Sequence, residues 1–278
     1  MNNSEFLNIS FEALIQFGKD NHDDYTNSKP FPSGYYDDFF NADQLKLVLQ
    51  EFPELGDKQD IKFNNPNENK LATRGEYRFG VESTKFAHFM NSQPFLEFLE
   101  NLTGIKNLIP DPSFEGGGFH QIKPGGFLKL HADFNKHRGT NLDRRLNVLV
   151  YLNEDWKEEY GGHFELWNKE MTQCEKKILP LFNRMAMFNT TDFSWHGHPD
   201  LLTCPPDRSR KSMAFYYYTN GRPASEINAG KEILTTTTFK SRDEDSASMK
   251  RYNSFVLLMQ NILPPILVKF AKKVLNRG

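Results

Sequence analysis

Cysteine is scarce in this chain. Cys174 and Cys204 are the only two in 278 residues, and neither sits in a C-x-x-C pair. A disulfide framework is therefore not expected, and a reducing interior is the better match. Charge of one sign is also missing: 34 Lys and Arg stand against 36 Asp and Glu, a net −2. No overall basic field draws such a chain to nucleic acid, so no nucleic-acid partner is expected. Uncharged apolar runs of about 18 residues do not occur, so no membrane span is expected. The opening Met1-Asn2-Asn3-Ser4-Glu5 lacks a basic stretch followed by an apolar one, so no signal peptide is visible. These features predict a cytoplasmic protein. What the chain does have is aromatic residues, 25 of them Phe, enough to fill a sizeable core.

The first 113 residues read as a mainly helical region packing on a core. Asn41 followed by Gln44 has capping-box spacing, and Leu45, Val48, Leu49 and Phe52 continue it as a helical stripe. Ser92-Gln93-Pro94 opens a second helix with Phe95, Phe98, Leu99 and Leu102 on its buried side. The polar stretch Asn64 to Lys70 reads as a loop. From about Phe114 the texture changes to short apolar runs broken by Gly, Pro, Asn and Asp. Strands are predicted at Phe119–Ile122, Phe127–Phe134, Leu146–Leu152, His163–Trp167, Arg184–Phe188 and Ser212–Thr219. Many short strands with turns between them predict an antiparallel sandwich or barrel over 114–222. Residues 223–278 form a C-terminal extension, with Ser241 to Lys250 as a linker or loop. Beyond Pro264-Pro265, Ile266, Leu267, Phe270, Ala271, Val274 and Leu275 share one helical face, with Lys269, Lys272, Lys273 and Arg277 largely opposite.

Three side chains carry the chemistry. His131 and Asp133 are two residues apart on a predicted strand, so they point to the same face roughly 6–7 Å apart. His196 lies 63 residues after Asp133, in a loop after a strand. Two imidazoles and one carboxylate form the facial triad that holds a non-haem iron(II) and leaves coordination positions open. A His-x-Asp pair alone is common, and His198, two residues on from His196, is an alternative third ligand. His120, His137 and His163 read as structural or exposed. Arg210 and Ser212 open the last strand and present a guanidinium and a hydroxyl on one side. An iron held by three protein ligands needs an electron source to activate dioxygen. 2-Oxoglutarate can supply it while chelating the metal, and Arg is suited to bind its far carboxylate in bidentate fashion.

In order along the chain come Gly125-Gly126 through Asp133, Tyr151-Leu152-Asn153-Glu154-Asp155-Trp156, Gly161-Gly162, Pro180 to Phe188, Ser194-Trp195-His196 and Arg210-Lys211-Ser212. Together they resemble the iron(II)/2-oxoglutarate oxygenases, in particular the prolyl-4-hydroxylase-like branch, over about residues 114–222. The resemblance implies a mainly β fold with flanking helices around a double-stranded β-helix, a jelly roll of the cupin-like kind. By the same resemblance His131, Asp133 and His196 match the metal ligands, and the Ser-x-His match favours His196 over His198. Arg210 matches the anchor of the cosubstrate's C5 carboxylate, and Tyr151 a phenol that joins it. Alternation then puts Leu149 and Asn147 on the face of Tyr151. Lys123 stands where relatives usually carry Tyr. Gln121, Arg145 and Asn147 are candidates for the substrate pocket.

The implied reaction is hydroxylation of an unactivated C–H bond, with 2-oxoglutarate and O2 giving succinate and CO2, and ascorbate as a supporting reductant. The substrate class stays open between a small molecule, a glycan and a peptidyl proline, because a fold does not name a substrate. The alternative is a non-catalytic or differently employed metal-binding jelly roll of the cupin type, which needs no dicarboxylate anchor. The basic amphipathic stretch 265–277 suggests peripheral contact with the inner face of an anionic membrane, or packing on the jelly roll or on a second subunit.

Overall fold

In a computed structural model, which describes residues 4–226 and 236–262, most of the chain wraps into one antiparallel sheet system. The elements run α1 (Phe11–Asp20), α2 (His22–Thr26), β1 (Ser33–Tyr36), α3 (Ala42–Gln50), β2 (Ile61–Asn65), β3 (Glu68–Ala72), α4 (Val81–Met90), α5 (Gln93–Thr103) and β4 (Ile109–Pro110). The eight strands that follow are β5 (Gly118–Ile122), β6 (Phe127–Ala132), β7 (Asp143–Tyr151), β8 (Phe164–Trp167), β9 (Cys174–Ile178), β10 (Met185–Asn189), β11 (His196–His198) and β12 (Arg210–Thr219). After them come β13 (Thr238–Phe239) and α6 (Ala247–Ile262).

The eight strands form two four-stranded layers, ordered β10-β7-β12-β5 and β6-β11-β8-β9. Strand β3 pairs with both β5 and β6 and so joins the layers along one side. Apart from the β8–β9 hairpin, successive strands cross between layers, which is the double-stranded β-helix expected from the resemblance. Two cores result. Leu146, Val148 and Val150 point from β7 to the outer face, where they pack with Phe86, Phe95, Phe98, Leu99 and Leu102 of the helices. Tyr151 points the other way, into a smaller cluster with Phe164, Leu166, Ile178 and Phe188 between the layers. Burial on both faces explains why β7 reads as a nearly continuous apolar run. Each fully buried Leu or Phe here contributes roughly 1.5–3 kcal/mol of apolar burial.

The two helix signals locate real helices. Asn41 Oδ1 caps α3 by accepting from the amides of Asp43 and Gln44, while Phe52 lies just beyond the helix end at Gln50. Helix α5 starts after Ser92 with Pro94 in its first turn and ends at Gly104, whose φ of 73° closes the last turn. Helices α1, α2 and α4 are additional to the two predicted helices, although α1 is as strongly amphipathic as α5. The N-terminal region is less helical than its sequence suggests. Residues 64–70 are not a loop but part of the β2–β3 hairpin, with Asn65 facing Glu68 across the turn. Asn65 Oδ1 accepts from the Asn67 amide, a local turn that the polar composition masked.

Strand β9 is also additional to the predicted set, and His196 sits on the three-residue strand β11 rather than in a loop. At 241–250 the expected linker is shorter than read, because α6 begins at Ala247. Ser246 caps it, its hydroxyl accepting from Met249 N and its carbonyl from Lys250 N. The amphipathic stretch 265–277 lies outside the described residues. Among the described residues, no helix is long and apolar enough to cross a membrane.

Candidate active site

Strands β6 and β11 lie side by side with His131 opposite His196, and Asp133 follows one residue after the end of β6. One nitrogen or oxygen from each of the three side chains falls within 4.8 Å of the others. His131 Nε2 is 3.6 Å from Asp133 Oδ1, and His196 Nε2 is 3.4 Å from Asp133 Oδ2. The opposite ring nitrogens are already committed. His131 Nδ1 lies 2.9 Å from the Lys129 carbonyl, and His196 Nδ1 lies 2.8 Å from the Ser194 carbonyl. A carbonyl can only accept, so each Nδ1 carries a proton and Nε2 is the nitrogen left to give a lone pair to a metal. That is the tautomer a metal ligand needs. Burial, followed by the neighbouring His131, pushes the His196 pKa down and favours this neutral form.

Asp133 is held from behind. Its Oδ2 accepts from Asn147 Nδ2 at 2.6 Å and from Arg144 Nη2 at 3.0 Å. Arg144 Nε also donates to Asn147 Oδ1 at 2.8 Å, and its guanidinium stacks 3.5 Å over the Tyr216 ring. Burial alone would raise the Asp133 pKa. Burial is the largest single influence, but the Arg144 charge and the contacts of His196 and His131 together outweigh it and hold the carboxyl well below the usual range. The group is therefore ionised, and Oδ1 is its less engaged oxygen.

A cavity runs from this cluster to the start of β12. Its walls include Lys70, His120, Leu149, Phe164, Phe188, His198, Arg210, Ser212 and Tyr216, together with the three clustered residues. At the far end Arg210 is almost completely buried. Its Nε donates to the Gly162 carbonyl at 2.8 Å and its Nη2 to the Tyr151 hydroxyl at 3.3 Å. Gly162 has a φ of 73°, and a Cβ there would come within 2.6 Å of Leu202 and 3.0 Å of Arg210, so only glycine lets this carbonyl approach. Burial raises the Tyr151 pKa against the opposing Arg210 charge, so its phenol keeps a proton to donate. Among the described residues no carboxylate pairs with Arg210. A buried guanidinium with two neutral partners costs several kcal/mol of desolvation that an anion would offset. The donor set fits both groups that the sequence implies, a divalent metal at one end and a carboxylate at the other.

Of the substrate candidates, only Asn147 lines this cavity, and it is engaged by Asp133 and Arg144. Gln121 alternates to the opposite side of β5 from the cavity-lining His120 and Ile122, and bonds Ser209. Arg145 also points away, to Thr219 and Glu226. The reason is an irregularity in β7. Tyr217 faces Leu146 but Tyr218 faces Arg144, so the pairing slips by one residue. Such a bulge reverses the simple alternation and turns Arg144 inward in place of Arg145. Arg144 and Lys70 are the site residues that sequence reasoning missed. Lys123 is exposed at the turn after β5. His137 and His163 pair with Glu115 and Glu158, and His120 lies 2.9 Å from the Gly116 carbonyl, so all three have protein partners.

Residues 117–218 match the family model described as the 2OG-Fe(II) oxygenase superfamily. The fold is similar to that of a Pseudomonas putida prolyl-4-hydroxylase, with a TM-score of 0.53 and 16% identity over 73% of this chain and 100% of that one. It is also similar to a Trichoplax adhaerens prolyl hydroxylase solved with a hypoxia inducible factor peptide fragment, with a TM-score of 0.52 and 17% identity over 74% of this chain and 91% of that one. The segment that matches the family contains all three clustered residues and Arg210, on the strands that build the jelly roll. Residues 117–218 are thus similar to the 2OG-Fe(II) oxygenase superfamily, and the fold that carries them is similar to that of solved prolyl hydroxylases.

Proposed function

We propose that the protein is an iron(II)/2-oxoglutarate-dependent dioxygenase that hydroxylates an unactivated C–H bond of a small-molecule, glycan or peptidyl-prolyl substrate. Nε2 of His131, the carboxylate of Asp133 and Nε2 of His196 would hold the ferrous ion. Arg210, with the Tyr151 phenol and the Ser212 hydroxyl, would hold the distal carboxylate of 2-oxoglutarate. Once bound with O2, the metal and 2-oxo acid supply the oxidation, with succinate and CO2 as by-products and ascorbate as a supporting reductant.

The protein's share is geometry and environment. The Lys129 and Ser194 carbonyls fix both imidazole tautomers. Arg144 and Asn147 keep Asp133 ionised and prevent it from rotating. Phe188, whose ring centroid is 4.4 Å from that of His196, and Phe164, at 5.7 Å, wall the cluster with apolar surface that excludes water. From outside, β13 pairs with β6 and sets Phe239 5.4 Å from the His131 ring.

The observation that carries this reading is the buried Arg210 without an anionic partner, sharing one cavity with the His-Asp-His cluster. A metal-binding jelly roll with no oxygenase activity gives Arg210 no task. The test is succinate formation from 2-oxoglutarate by purified protein with iron(II), ascorbate and air. Asp133→Ala should abolish it, and unchanged turnover in that variant would remove the assigned site. Incubation with cell extract, followed by a search for products heavier by one oxygen atom, identifies the substrate class.

A further inference from the structure

His198 is a cavity residue whose structural partners are missing. It lies two residues beyond His196 on β11, so both imidazoles project to the same inner side of the strand. It is 3% exposed, yet among the described residues neither of its ring nitrogens has a hydrogen-bond partner. Buried polar atoms are rarely left this way, because each unmade bond carries the full desolvation cost of the atom. By contrast, His131, His196, His120, His137 and His163 all find protein partners.

Its place in the cavity separates it from the metal end. The group of ligand atoms within 4.8 Å of one another contains His196 and not His198. His198 instead shares the cavity with the other unmatched polar group, Arg210. One bound carboxylate would serve both.

We propose that His198 is a second cosubstrate-anchoring residue, whose imidazole N–H donates to the distal carboxylate of 2-oxoglutarate beside Arg210. The inference rests on the 2-oxoglutarate reading and deepens it. A neutral imidazole offers one N–H for the carboxylate and one lone pair for a donor in the filled cavity, which accounts for both orphan nitrogens. Arg210 supplies the fixed charge, and His198 adds direction and selectivity for an acid that carries a second carboxylate.

The test compares two 2-oxo acids on the oxygen-free, Fe(II)-loaded protein, read by the charge-transfer absorption that a metal-chelated 2-oxo acid gives. 2-Oxobutanoate shares the chelating head of 2-oxoglutarate but lacks the distal carboxylate. His198→Leu should weaken 2-oxoglutarate about tenfold or more, the loss expected for a hydrogen bond to a charged group. Its affinity for 2-oxobutanoate should stay within about threefold of wild type, and His198→Gln, which keeps a donor, should recover much of the 2-oxoglutarate affinity. His198→Phe, which keeps a ring, is measured alongside so that a packing defect in one variant does not decide the result. Equal weakening of both acids, or a 2-oxoglutarate loss below about threefold in both the Leu and Phe variants, overturns the proposal. Absence of the absorption in wild-type protein would instead remove the 2-oxoglutarate reading itself, and this proposal with it.

Discussion

Arg210→Met tests whether the buried guanidinium awaits a ligand or serves the fold. Among the described residues, Arg210 bonds the Gly162 carbonyl and the Tyr151 hydroxyl. Removing it strips a donor from a buried carbonyl, a cost of about 1–3 kcal/mol. It also removes a buried charge that no carboxylate among the described residues neutralises, and replacing such ions with apolar groups is often neutral or stabilising by about 1–4 kcal/mol. The two terms are of similar size, so the empty variant should unfold within about 2 kcal/mol of wild type. The ligand response should differ sharply. With metal bound, 2-oxoglutarate at 100 times its Kd stabilises wild type by about 2.7 kcal/mol, or roughly 5–10 °C in Tm for a chain of this size.

Loss of the cation facing a buried carboxylate costs about 2–5 kcal/mol of binding. That raises the Kd about 30-fold or more, so the same ligand concentration should stabilise the variant by no more than about 1 kcal/mol. The assay is oxygen-free thermal unfolding with and without 2-oxoglutarate. A retained ligand shift would refute the anchoring role. So would an empty variant destabilised by about 3–5 kcal/mol, because that is the signature of breaking a structural ion pair.

Other variants test the parts around this anchor. Arg144→Leu leaves the Asp133 charge buried beside Asn147 and the two imidazoles but without its guanidinium partner, and should destabilise the metal-free protein by about 3–5 kcal/mol. Excess divalent metal, which restores a positive charge next to Asp133, should recover much of that loss in urea unfolding; no recovery would mean that Arg144 acts by packing alone. Glu51, at the end of α3, caps α4 in place of a side chain that Gly80 lacks: its carboxylate accepts from the Glu82 and Ser83 amides and from the Ser83 hydroxyl. Burial opposes its charge, but these bonds prevail and lower its pKa from the ordinary 4.5. Stability from a depressed carboxylate is complete above its unfolded pKa and is lost as pH falls through the folded value. Glu51→Ala should therefore cost about 1 kcal/mol at pH 7, and the gap to wild type should close in acid below the ordinary Glu range. A gap independent of pH would refute the capping account.

The parts of the fold and site that were legible in sequence are those with local signatures. Asn41 and Ser92-Gln93-Pro94 mark helix starts whatever the tertiary context, and β7 declares itself by an apolar run buried on both faces. His131 and Asp133 can be paired because an i, i+2 step on a strand fixes their common direction, and Arg210 with Ser212 obeys the same rule. Illegible features depend on long-range pairing. Nothing in Asp143-Arg144-Arg145 says which arginine turns inward; that is set by a slip against Tyr217 and Tyr218, more than 70 residues away. Lys70 was hidden in a polar stretch whose neighbours suit a loop as well as a hairpin. Its place in the cavity follows only once β3 bridges β5 and β6. Strand β11 is three residues long, too short for any periodicity, and owes its existence to β6 and β8 on either side.

The competition between His196 and His198 for the metal gives the most direct test of the central claim. Ferrous ion binding to oxygen-free protein should reach one ion per chain in wild type and in His198→Leu. In His196→Leu the affinity should fall by more than the 10–100-fold seen when an outer partner of a ligand is removed. The reverse pattern, with metal lost in His198→Leu and kept in His196→Leu, would contradict the assignment of His131, Asp133 and His196 as the metal ligands.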